Sequence, residues 1–148
     1  IRLNLPSFDI KTRVVDGRGQ VLDPLRRCWV ALTPEEWVRQ HFIHWLTSSL
    51  GYPQALLANE VQLNIGMKKL RADSVLYDRE LHPKMIIEYK APSIPITQKV
   101  FNQIMVYNLQ LHAPYLVVSN GIKHYCCKLD NVGKKYLFLS AMPCYEEI

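Results

Sequence analysis

The spacing of apolar residues changes along this 148-residue chain, and each change of period predicts an element. Residues 1–32 carry the weakest pattern. Strand character shows only at Arg13-Val14-Val15, and Asp16-Gly17 between extended runs signals a hairpin, so strands or irregular structure are expected there. Thr33-Pro34-Glu35-Glu36 reads as a helix start, with Thr33 as cap, Pro34 in the first turn and Glu36 at the capping-box position. Val38, Phe42, Trp45 and Ser49 then share one helical stripe beside Trp37 and Leu46, until Gly51 and Pro53 end it. Residues 56–65, 70–77 and 84–90 read as three strands, separated by a loop at 66–69 and a turn at 78–83. Val100, Ile104, Tyr107 and Leu111 give a second helix over 97–111. The run PYLVVS (114–119) has the look of a buried strand, Asn120-Gly121 of a hairpin turn, and 123–129 of the returning strand, with one more at 136–139. Helix, three strands, helix and two strands make an α/β or α+β layer, a mixed sheet covered by helices.

Composition narrows the class. The length suits one domain, and 49% apolar with 21% charged residues is ordinary for a globular chain. No apolar run approaches the ~18 residues of a membrane helix and no secretory signal is visible, so a cytoplasmic protein with no membrane partner is expected. Cys28, Cys126, Cys127 and Cys144 form no C-x-x-C pair and are read as reduced thiols. A zinc site from His124, Cys126 and Cys127 is the alternative to plain strand core. The net charge of +5 favours a polyanionic partner without naming one.

The stretch MIIEYKAPS (85–93) carries the chemistry. Met85, Ile86 and Ile87 read as a buried strand that Pro92 ends, and strand alternation puts Glu88 and Lys90 on one face. An acid and a base so placed are either a structural ion pair or a site. Asp73, in LRADSVLY on the preceding strand, stands 15 positions before Glu88 and shares a strand face with Val75 and Tyr77. A strand, a turn and a strand bring it close to Glu88. Two adjacent carboxylates repel unless a divalent cation neutralises them, and Mg²⁺ favours such oxygen ligands together with water and phosphate. A lysine beside them can orient or deprotonate a metal-bound water, which is the chemistry of phosphodiester hydrolysis. Lys68, Lys69 and Arg71 form a basic cluster leading into Asp73, read either as a solvated loop or as contacts to a DNA backbone.

Asp73 followed by Glu88-x-Lys90 resembles the D…(D/E)-x-K signature of restriction-endonuclease-like nucleases, with Ala72 where the familiar motif has Pro. Gln103-Ile-Met-Val-Tyr107 is similar to the Q-x-x-x-Y motif of RecB-like nucleases. The segments TPEEWVRQ, LRADSVLYD, IIEYKAP, ITQKVFNQIMVYN and PYLVVSNG resemble the N-terminal nuclease domain of type I restriction enzyme R (HsdR-type) proteins, over residues 30 to 130. The resemblance implies an α/β, restriction-endonuclease-like fold, with 1–148 a single nuclease domain, 1–32 an N-terminal extension and 33–130 the nuclease core. It implies an Mg²⁺-dependent endodeoxyribonuclease, with Mn²⁺ able to substitute. Asp73 and Glu88 are then metal ligands, Lys90 acts on water, and Gln103 and Tyr107 orient the lysine or a phosphate. Glu36 is the helix acid carried over toward the metal, against the plain capping reading, with Glu35 and Glu60 as other candidates; Glu60 also reads as a strand residue pairing with Arg39 or Lys68. Double-stranded DNA is the implied partner, with a helicase motor and methylation and specificity subunits beside it. ATP enters only through such a motor, because no G-x-x-x-x-G-K-[ST] loop occurs here. A stand-alone repair or resolvase-like nuclease, a non-cleaving DNA-binding module and a subunit scaffold are the competing readings.

Overall fold

The computed structural model describes residues 2–130, residue 132 and residues 135–148, and of Ile65, Tyr107, Leu109 and Gln110 only the backbone. The weak N-terminal pattern resolves into three strands, β1 (Thr12–Val15), β2 (Arg18–Asp23) and β3 (Cys28–Ala31), paired antiparallel in that order. Asp16 and Gly17, at φ of 51° and 75°, make the two-residue turn from β1 to β2 that an Asp-Gly pair favours. These strands are short and largely exposed, which is why their alternation is faint in the sequence.

Helix α1 (Pro34–Ser48) begins where expected, with the Thr33 hydroxyl accepting the Glu36 N–H at 3.1 Å. The reciprocal half of a capping box is not made, because the Glu36 carboxylate is drawn instead to Arg26, Arg39 and Gln40. The main sheet runs β4 (Leu57–Ile65), β5 (Lys68–Tyr77), β6 (Pro83–Tyr89), β7 (Tyr115–Ser119), β8 (His124–Asp130) and β9 (Lys135–Phe138), in chain order across the sheet. All pairs are antiparallel except β6 with β7. A parallel pair needs a crossover, and helix α2 (Gln98–Leu111) supplies it. The result is the expected restriction-endonuclease-like α/β architecture, a mixed sheet with a helix on each face. No helix of the described residues is long and apolar enough to cross a membrane.

The loop expected at 66–69 is only half loop, since Lys68 and Lys69 belong to β5. Gly66, at φ 59°, and Met67 form the turn, and Lys68 and Lys69 already pair with Ile65 and Asn64. Charged residues at the tip of an exposed ribbon blur the strand pattern there.

The sheet buries both faces. On one, Val38, Phe42, Ile43 and Leu46 of α1 pack on Leu76, Met85, Ile87, Tyr89 and Val117. On the other, Phe101 and Ile104 of α2 pack on Val75, Ile86, Leu116 and Val118. Strand β6 alternates cleanly: Met85, Ile87 and Tyr89 go to α1, while Ile86 and Glu88 go to α2. A fully buried side chain such as Phe42 contributes roughly 1.5–3 kcal/mol relative to exposure.

Candidate functional site

The site forms where β5 and β6 part. Their pairing runs from Tyr77 back to Ser74↔Ile87, and the next residues in register are Asp73 and Glu88. Asp73 does not continue the ladder. Its Oδ2 accepts the Tyr89 backbone N–H at 2.9 Å, which turns the carboxylate onto the neighbouring strand beside that of Glu88. The two carboxyl groups are within hydrogen-bonding reach of each other. Burial, then the Asp73 charge and the hydrogen bond between the two groups, push the Glu88 carboxyl up to about 9, against weaker opposite pulls from the Asp73 backbone amide and Lys90. Glu88 therefore favours its protonated form near neutral pH.

Glu88 and Lys90 line a cavity of about 650 Å³ under α2, together with Gln103, Lys69, Arg71 and an apolar wall that includes Ile104. Asp73 lies next to Glu88 and is not part of that lining. Gln103 is brought to the cavity from α2; Tyr107 stands one turn further along the same helix, and its side chain lies outside the described residues. Of the basic cluster, Lys69 and Arg71 reach the cavity and Lys68 does not. Arg71 is also bound to Glu60 at 2.7 Å.

Glu36 is not part of this cavity either. It sits in a buried ion network with Arg26 at 2.6 Å, Gln40 at 3.0 Å and Arg39 at 3.3 Å, and Arg26 also pairs with the fully buried Asp23. Arg39 extends the network to Glu60 at 2.5 Å and to the main-chain carbonyl of Asp73 at 2.9 Å. Glu60 therefore takes Arg39, one of the two partners considered for it, and Arg71 in place of Lys68. A second chain of bonds, Tyr89 Oη to Ser74 Oγ, Ser74 Oγ to Asn59 Oδ1 and Asn59 Nδ2 to Asp23, closes the polar layer beneath Asp73. Sequence reasoning missed this layer. Asn59, Ser74 and Asp23 are too common in strands to signal it, and only the fold brings β2, α1, β4 and β5 together.

Cys126 and Cys127 alternate onto opposite faces, each buried in a different core, with burial pushing both thiols up to about 12. His124 bonds Ser119 and the Asn4 carbonyl. Among the described residues no three His, Cys, Asp or Glu side chains gather as a metal cluster, so the zinc alternative has no geometry behind it.

Fold and site together define a restriction-endonuclease-like α/β domain whose central strands end in a carboxylate pair. Residues 34–143 match the family model for the type I restriction enzyme R protein N terminus, and the chain belongs to that family. Its fold is similar to that of a fragment described as an HsdR subunit of a type I restriction enzyme from Vibrio vulnificus YJ016. The TM-score is 0.55 at 20% identity, over 78% of this chain and 24% of that one. The chain thus spans about a quarter of the length of that structure. A search of curated proteins gave no match.

Proposed function

We propose that this domain hydrolyses phosphodiester bonds in double-stranded DNA with a divalent cation, as the endonuclease module of a type I restriction R protein. The observation that carries the reading is the meeting of the Asp73 and Glu88 carboxylates at the end of paired strands, with Lys90 one strand repeat further in the adjoining cavity. The donor set fits a hard cation. Two adjacent acids offer oxygen ligands whose mutual repulsion a divalent ion relieves, and Mg²⁺, or Mn²⁺ in its place, prefers such ligands.

Asp73 and Glu88 would hold that ion. When bound, it polarises a phosphoryl oxygen and acidifies a water. Glu88 must first give up its proton, so binding and deprotonation are linked. Lys90 places a positive charge where the attacking water and the phosphate meet, and steadies the hydroxide as it forms. Gln103, with an amide that both donates and accepts, orients the lysine or a phosphate oxygen, and Tyr107 is assigned the same work from one helical turn away. Lys69 and Arg71 neutralise backbone phosphates at the mouth, with Lys68 as the outermost of the three. Glu36 supports the site through Arg39 rather than by touching the cation. ATP, a helicase motor and methylation and specificity subunits act through parts beyond these residues, in the cytoplasm where the DNA is.

Calorimetric titration with Mn²⁺ and a supercoiled-plasmid nicking assay test the reading. Wild type binds Mn²⁺ and nicks DNA, whereas Asp73→Asn and Glu88→Gln do neither while keeping the wild-type circular dichroism spectrum. Equal Mn²⁺ affinity in wild type and both variants would end it.

A further inference from the structure

We infer that Arg39 is a positioning residue for Asp73, gripping it by its main-chain carbonyl, and that Glu60 sets Arg39 in place through a break in strand β4. The inference rests on the reading of Asp73 as a metal ligand.

The break comes first. Within the ladder of β4 and β5, Asn59 pairs with Ser74 and Val61 with Ala72, but Glu60 and Asp73 between them do not pair. Glu60 has φ 55°, a left-handed conformation that a non-glycine residue adopts only against strain. The consequence is a change of face. Asn59 and Ser74 join the polar layer on the α1 side, whereas Val61, Leu63 and Ala72 pack on the α2 side. The Asp73 carbonyl is left without a partner from β4, and the Arg39 guanidinium takes it with Nη1 at 2.9 Å.

Arg39 is itself over-determined. Its side chain is 6% exposed, Nη2 donates to Glu60 at 2.5 Å, Nε lies 3.3 Å from a Glu36 oxygen as an ion pair without a directed hydrogen bond, and the guanidinium sits 5.7 Å from the Tyr89 ring centroid. Tyr89 is the residue between Glu88 and Lys90, and its N–H holds the Asp73 carboxylate from the other side. Asp73 is therefore fixed at both ends, its carbonyl by Arg39 and its carboxylate by Tyr89. A flat fork that meets a carbonyl and a carboxylate at once suits this place, and a lysine cannot reproduce it. Glu60 is the member that couples the grip to the surface, because its second oxygen holds the exposed Arg71 at 2.7 Å.

A purely structural role for Glu60 and Arg39 predicts loss of stability and nothing specific to the cation. The discriminating variant is Glu60→Gly. Glycine accepts the left-handed backbone without strain, so the break survives and only the tethers to buried Arg39 and exposed Arg71 are lost. Mn²⁺ affinity is measured by calorimetry without DNA, beside the metal-free melting temperature. Glu60→Gly is expected to melt no lower than wild type yet to bind Mn²⁺ about 10–100-fold more weakly, the range typical when a partner that orients a ligand is removed. Glu60→Gln, which keeps an oxygen for Arg39 to donate to, recovers most of the affinity. Arg39→Lys weakens Mn²⁺ binding to the same degree as Glu60→Gly, and in plasmid cleavage lowers kcat with KM for DNA little changed. If wild type binds Mn²⁺ and both Glu60→Gly and Arg39→Lys bind within twofold of it, the inference is overturned while the functional reading stands. If wild type binds no Mn²⁺, both fall together.

Discussion

A charge that would be stranded in most proteins is accommodated at Glu88 by a proton, and this determines what a single substitution there should do. Lys90 pulls the Glu88 pKa down, but burial and the Asp73 carboxylate outweigh it, and in the metal-free domain Glu88 favours its neutral form near pH 7. Removing the lysine leaves no unpaired carboxylate behind. Lys90→Ala is accordingly expected to cut DNA cleavage by roughly 10²–10⁴-fold, the scale of a lost acid–base group, with a stability change under about 1 kcal/mol. Cleavage at the wild-type rate, or a variant that fails to fold, would contradict this. Asp23 behaves in the opposite way. Its burial raises the carboxyl, but hydrogen bonds from Asn59 and Arg26 and the Leu25 N–H outweigh that and leave it below the usual value of 3.8. A depressed folded pKa gives stability that is present above pH 3.8 and is lost as pH falls below it. Asp23→Asn should cost about 1–3 kcal/mol in urea unfolding at pH 7, and the gap from wild type should narrow as the pH drops below ~4. A gap that stays constant down to pH 3 would show that the charge on Asp23 contributes nothing. At this scale the sequence was informative about chemistry and silent about support. The placing of Asp73 beside Glu88, with Lys90 lining the same cavity as Glu88, was legible because strand parity and spacing fix it. The pairing of Arg39 with Glu60 was half-legible, as one of two options, but the grip of Arg39 on the Asp73 carbonyl and the bonds of Asn59 and Ser74 were not, because those partners are far away in the chain.

Among the elements, the strong signals were the caps and turns. Thr33, Asp16-Gly17 and Asn120-Gly121 each fix a backbone conformation within a few residues, so local sequence suffices to read them. The β4–β5 ribbon was harder, since its polar tip looks like a loop and its face change at Glu60 breaks the alternation that a strand should show. The turn at Asn120 illustrates how much a correct element can still conceal. Asn120 Oδ1 accepts the N–H groups of Ile122 and Lys123, as an Asx turn should, and Gly121 takes φ 84°. The turn also carries the N-terminal segment, with Asn4 N–H donating to the Gly121 carbonyl at 2.7 Å. A Cβ on Gly121 would lie 2.7 Å from Leu3 Cδ2 and 3.2 Å from Val38 Cγ2. Gly121→Ala combines the left-handed strain with this clash, and a loss of about 1–3 kcal/mol is expected, measured by urea denaturation. Removing the Leu3 side chain in the same chain should recover the part due to the clash and leave the part due to φ.

For the molecule as a whole, the position of DNA is the question that the fold makes measurable. The cavity takes Lys69 and Arg71 from β5, next to the edge strand β4, and β9 with Lys135 forms the opposite edge of the sheet. Each phosphate contact on duplex DNA contributes about −0.9 to the slope of log affinity against log salt. Neutralising Lys69 and Arg71 together should flatten that slope by up to about 2 units, somewhat less if Glu60 keeps its hold on Arg71, and should weaken binding alike for unrelated sequences. Lys135→Gln should leave the slope where it was. A larger effect from Lys135 would place the DNA across the other edge. The same edge strand β4 has one more property. Its outer side pairs with no strand of the described sheet, and a row of open amide and carbonyl groups invites another chain to add on. The left-handed residue at Glu60 interrupts that row partway along, so an incoming strand cannot stay in step past it. The distortion that frees a carbonyl for Arg39 thus also guards the domain against sticking to its own copies at high concentration.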